Sequence, residues 1–181
     1  MNGIKPDGKM TVLAIPNKEV LEIFASAISK WFDNEVQYID RTELFKAFWA
    51  DDTEAVTELL CDQMEDTLSY YDAREDFYHA FILGLFTFTG WKVESNKEYG
   101  KGRPDIILRD TKNKRAAVIE TKRTTSEGEL PGKAEEAILQ IKTNKYAAPL
   151  IRKKGWKVSL WGMAFFQKTC VLKTEVAKLN S

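Results

Sequence analysis

Apolar and polar positions change rhythm near residue 72, and that change divides the chain. Before it, apolar residues recur at helical spacing among many acids. Val20, Ile23, Phe24, Ala27, Ile28 and Trp31 share one face of a helix capped by Asn17. Leu44, Phe45 and Phe48 mark a second helix after Arg41-Thr42. Val56, Leu59, Leu60, Met64 and Leu68 mark a third that begins near Asp52-Thr53. Ahead of them, the Pro6-Asp7-Gly8 turn and the strand-like run Met10 to Ile15 predict a hairpin or its remnant, expected to want a partner upstream. Residues 1–71 are therefore read as a hairpin remnant and a helical region.

From Asp72 to about Phe88 the helical pattern is apolar nearly all round, through Phe77, Tyr78, Phe81, Ile82, Leu83, Leu85 and Phe86, which predicts burial on most sides. Thr89-Gly90 ends it. Strand-like runs follow at Trp91 to Glu94, Asp105 to Arg109 and Ala116 to Thr121, with Thr111-Lys112-Asn113-Lys114 as the turn between the last two. Thr124 to Gly132 is expected to be a mobile loop, Lys133 to about Ala147 a helix, and Val158 to Phe166 an apolar strand. The expected fold class is α/β, with residues 72–181 forming one domain.

Composition fits a packed globule: 181 residues, 44% apolar, five tryptophans. No apolar run approaches the ~18 residues of a membrane helix, so a cytoplasmic protein without a membrane partner is expected. Cys61 and Cys170 have no metal-ligand spacing and are read as small buried hydrophobes in a reducing compartment. The net charge of zero hides an asymmetry. Residues 33–76 carry 14 acids and 3 bases, whereas residues 77–181 carry 20 bases and 10 acids. The basic part suits a phosphate-bearing partner.

That basic part also holds the candidate chemistry. Pro104-Asp105 opens one apolar run, and Glu120-Thr121-Lys122 closes the next. Both runs read as central strands, where a carboxylate must be paired, protonated or bound to metal. The two-residue pleat puts Glu120 and Lys122 on one face. Two carboxylates and a lysine meeting at a sheet end suit a hard divalent cation, Mg²⁺ with Mn²⁺ as substitute, better than zinc. The spacing equally fits a salt bridge from Lys122 to either acid.

Tyr78-His79, the run Ser95 to Ile106, Ile119-Glu120-Thr121-Lys122 and Gln140-Ile141 together resemble the PD-(D/E)xK nuclease superfamily. They are most similar to the nuclease domain that follows AAA-ATPase-like modules in many bacterial proteins. The resemblance spans roughly residues 72–170. It implies a restriction-endonuclease-like core, a mixed sheet flanked by helices, preceded here by the α-helical N-terminal region. It also implies a Mg²⁺-dependent nuclease acting on DNA. Asp105 and Glu120 then match metal ligands, with a carbonyl next to Glu120, and Lys122 matches the residue that orients or deprotonates the attacking water. Glu75 matches an acid that helps hold metal or water, although Asp72-x-x-Glu75 also fits a capping box. Gln140 matches a position that touches the site or DNA, or is a solvated helix residue. His79 is a supporting partner or a satisfied core histidine. Thr121 stands where relatives often carry an apolar residue. Lys97, Lys101 and Arg103, on the glycine-bearing loop, are expected to contact phosphates. No Gly-x-x-x-x-Gly-Lys-Ser/Thr loop occurs, so an ATPase module would be a partner in cis or trans. A homodimer is a further expected arrangement. The competing reading is a catalytically idle module that binds nucleic acid or protein.

Overall fold

Five strands in the order β1-β2-β3-β4-β5 form one mixed sheet, seen in a computed structural model that describes residues 41–67, 75–87 and 89–178. The hairpin expected over residues 1–15 and the helix expected from Asn17 lie outside the described residues. The described elements run α1 (Thr42–Trp49), α2 (Thr53–Thr67), α3 (Glu75–Phe86), β1 (Lys92–Ser95), β2 (Ile106–Asp110), β3 (Arg115–Arg123), α4 (Leu130–Thr143), α5 (Ala148–Ile151), β4 (Lys157–Phe166) and β5 (Thr169–Val176). β1, β2 and β3 pair antiparallel. The α4 crossover makes β3 and β4 parallel, and β5 returns antiparallel to β4.

The central strands read as continuous apolar runs because helices cover both faces. Ala117 and Ile119 of β3 face one layer with Ile106, Leu108, Trp161, Met163 and Phe165, under α1, α2 and α3. Ala116 and Val118 face the other with Ile107, Val158 and Leu160, under α4 and α5. Phe48 of α1 stacks on Trp161 at 4.6 Å, and Tyr78 of α3 on Phe165 at 4.7 Å. The helices before residue 72 thus share a hydrophobic core with the sheet. Among the described residues, no helix is long and apolar enough to cross a membrane.

Three expectations need correction. The loop expected to be mobile from Thr124 to Gly132 is largely ordered: a 3-10 turn covers Glu127–Glu129, and α4 already begins at Leu130. Pro131 sits in the first helical turn, where a missing N–H costs nothing. The Thr124 hydroxyl also bonds the Glu129 carboxylate. At its other end α4 stops at Thr143, ahead of Lys145 at φ +56°, and α5 follows separately. β5, with its weak and mixed alternation, was not anticipated; its pairing with the long apolar β4 makes it a strand.

α4 lies unusually close to β4 at Gly162, the residue paired with Glu120. A Cβ there would meet the Ala134 carbonyl oxygen, with Ile138 Cγ1 at 2.9 Å and Ala137 Cβ at 3.1 Å. Gly162→Ala is expected to lower stability by about 1–3 kcal/mol through overpacking. A lower urea midpoint at unchanged m-value checks it.

Candidate metal centre

The end of β3 gathers most of the predicted residues. Asp105 is not inside a strand, as expected, but in the bend just before β2. Freed from the ladder, its carboxylate turns toward β3: Oδ2 accepts the Thr121 backbone N–H at 2.8 Å and the Thr121 hydroxyl at 2.7 Å. Oδ1 faces His79 Nδ1 of α3 at 3.7 Å. The other nitrogen of that buried imidazole lies 2.9 Å from Ser95 Oγ. Burial pushes the Asp105 carboxyl up, but His79 and the Thr121 bonds outweigh it and hold it below its ordinary 3.8.

Glu120 has the opposite environment. It is 3% exposed, on the α4 face of the sheet. Its Oε1 accepts the Gln140 amide and lies 3.4 Å from Lys122 Nζ. Its Oε2 is buried without a partner. Burial and the nearby Asp105 charge raise this carboxyl to about 7 against the pull of Lys122. A native fold rarely leaves such an oxygen orphaned. Beside a second carboxylate and with oxygen donors only, the donor set fits a hard cation. Glu120 and Asp105 would hold it, and Lys122, with its side chain 18% exposed, borders the same point.

The remaining predicted residues stand apart or differ. Glu75 is the first residue of α3; its side chain lies outside the described residues, as does any capping bond to Asp72. Among the described residues, no three His, Cys, Asp or Glu side chains form a metal cluster. Lys97 and Arg103, expected to contact phosphates, each have an acidic partner nearby in the chain and stay exposed. Lys97 pairs with Glu94 at 2.7 Å, and Arg103 with Glu98 at 3.1 Å. Glu94 also takes Arg109 and the Tyr99 hydroxyl, each at 2.9 Å, so it ties the base of the loop together. Lys101 is exposed, on a loop whose Gly100, at φ +59°, packs against the Asn144 and Lys145 carbonyls where no Cβ fits.

Sequence reasoning undervalued Thr121, His79 and Ser95, which orient Asp105. The signal available for Thr121 was its position between Glu120 and Lys122, which the strand period turns to the sheet face opposite both. The sequence profile of the PD-(D/E)XK nuclease superfamily matches residues 73–175, more than half of the chain. The chain belongs to the PD-(D/E)XK nuclease superfamily. Its sheet and flanking helices, with the helical region before them, are consistent with the restriction-endonuclease-like α/β fold of that superfamily. Among curated protein sequences, none matches the chain. Nucleases of this superfamily generally use divalent metal ions, and the oxygen donors of Asp105 and Glu120 are chemically suited to one.

Metal-free protein should show the strain of Glu120 as a pH dependence. A carboxyl raised in the folded state contributes stability that is fully present below its unfolded value of 4.5 and lost as pH rises through about 7. Asp105, lowered in the folded state, acts oppositely and only below about its ordinary 3.8. In EDTA, wild-type stability should therefore fall between pH 4.5 and 7.5 by an amount on the order of 1–3 kcal/mol relative to Glu120→Gln. Urea unfolding of both proteins across that range measures the difference.

Proposed function

We propose that this chain is a Mg²⁺-dependent nuclease that hydrolyses phosphodiester bonds of DNA, with Mn²⁺ able to substitute. The observation that carries the reading is the buried, partnerless Glu120 Oε2 beside the Asp105 carboxylate, with Lys122 at their edge. A divalent cation bound there would polarise a phosphoryl oxygen and stabilise charge developing on it. The residues around it have separate tasks. Thr121 and His79 hold Asp105 in place by its two oxygens. Gln140 fixes the plane of the Glu120 carboxylate through Oε1, which leaves Oε2 for the cation. Lys122, half-released from Glu120 at 3.4 Å, orients or deprotonates the attacking water and meets the charge that develops in line with it. Glu75, on the helix that also carries His79, is a further candidate ligand. Lys101 is the loop residue placed to meet a phosphate, whereas Lys97 and Arg103 first have to leave Glu94 and Glu98.

The competing reading, a catalytically idle module that serves an AAA-type ATPase in cis or trans, draws only on the resemblance of the sequence to domains that follow such modules. Cleavage separates the two. Supercoiled, linear and single-stranded DNA should be cut with Mg²⁺ or Mn²⁺ and spared in EDTA. Lys122→Ala should keep fold and metal binding but lower cleavage on the order of 10²-fold or more. A wild-type protein that binds DNA and cuts none of these substrates would establish the idle module instead.

Thr121→Val should keep the strand but remove one hydroxyl bond from Asp105. Loss of such an orienting contact is expected to weaken Mg²⁺ binding by about 10- to 100-fold, as read by calorimetry, with Thr121→Ser restoring most of it.

A further inference from the structure

Cys61 and Cys170 are 109 residues apart in the chain, yet their sulfurs meet at 3.5 Å. Cys61 is partly exposed on α2, and Cys170 is buried on β5. The contact therefore joins the helical region that precedes the superfamily match to the last strand within it. Cys170 Sγ also lies 3.9 Å from the Thr57 carbonyl, one turn earlier on α2, which keeps the buried sulfur under that helix. Both thiols are free, and neither belongs to the metal centre. We propose that Cys61 and Cys170 form an oxidant-reactive dithiol, with Cys61 as the nucleophile and Cys170 as the resolving thiol, which closes reversibly into an intrachain disulfide.

The environments divide the two roles. The hydrogen bond from Cys170 draws the Cys61 thiol down to about 7, against its burial and the nearby Asp62 and Glu65 charges. The Cys170 thiol is pushed well up, first by that same contact and then by burial. The partly exposed Cys61 is therefore the member an oxidant can reach and the one drawn toward its thiolate, whereas Cys170 is held under α2 as a thiol. With a hydroperoxide as oxidant, the Cys61 thiolate attacks the peroxide oxygen and breaks the O–O bond. Cys61 becomes a sulfenic acid, and the expelled hydroxide or alkoxide takes a proton from solvent and leaves as water or an alcohol. Cys170 then gives up its proton, and its sulfur displaces hydroxide from Cys61. Proton and hydroxide leave as water, and the two electrons lost by the thiols reside on the reduced peroxide. A dithiol reductant reverses the reaction by exchange. Because the ring closed is long, the bond would restrict the unfolded chain strongly and fasten α2 to β5.

The test uses the full chain and hydrogen peroxide at pH 7.5, with EDTA present so that the metal centre plays no part. Treated wild type should lose both titratable thiols and a mass of two hydrogens as a monomer. Its Tm should rise on the order of 5–10 °C, reversed by dithiothreitol. Cys61→Ser and Cys170→Ala should show no Tm rise. If Cys170→Ala does not fold, Cys61→Ser, at the partly exposed position, serves alone as the control. The proposal is overturned if treated wild type retains both thiols, gains oxygen at Cys61 without closing the bond, or forms only disulfides between chains. None of these outcomes depends on whether the protein cuts DNA.

Discussion

The fold depends on the two-residue period of β3. With helices on both faces of the sheet, each residue of this strand must serve one layer or the other. Ala117 and Ile119 close the core under α1, α2 and α3, while Ala116 and Val118 close the core under α4 and α5. The same alternation continues to the end of the strand, where apolar residues give way to Glu120, Thr121 and Lys122. Glu120 and Lys122 come out beneath α4, and Thr121 comes out on the opposite side, within reach of Asp105. A register slip of one residue would exchange the layers and break core and site together.

Placing a carboxylate at that point is costly, and the surroundings offset only part of the cost. Gln140 and Lys122 address one oxygen of Glu120 and leave the other without a partner. The Asp105 carboxylate adds a second charge to the same region, which its backbone N–H only partly offsets. A strained arrangement of this kind persists when the rest of the fold over-determines it, as the close approach of α4 at Gly162 does here. The arrangement therefore concentrates carboxylate oxygens at one buried point, which is the feature the proposed function rests on. The two acids are not equivalent. Asp105, bonded by Thr121 and facing His79, is held below its ordinary value, whereas burial and the Asp105 charge push Glu120 above its own.

Electrostatics also temper the simplest account of nucleic-acid binding. The basic excess of residues 77–181 outlasts the ion pairs within that part, and pairs such as Lys97–Glu94, Arg109–Glu94 and Arg103–Glu98 arrange individual bases locally. Glu94 serves as a hub that shapes the loop leading to Asp105. Charges of that loop therefore act on its own conformation, through Glu94 above all.

Local pattern alone determined the buried helix α3, the strands β1 to β3 with the hairpin turn between β2 and β3, a helix at α4 and the strand β4. Each is set by short-range spacing and turn chemistry, and Pro104-Asp105 with Glu120-x-Lys122 placed the candidate site on them. Other features were decided only in three dimensions. β5 is a strand because β4 offers it an edge, and the segment before α4 is ordered because Thr124 and Pro131 fix it. Lys97 and Arg103 find their partners in Glu94 and Glu98, and His79 and Thr121 approach Asp105, with Ser95 behind His79. Cys61 meets Cys170 across 109 residues. The physical reason is the same in each case: periodicity reports which face a residue takes on its own element. Hydrogen-bond partners, burial and pKa depend on which other element the tertiary packing brings against that face.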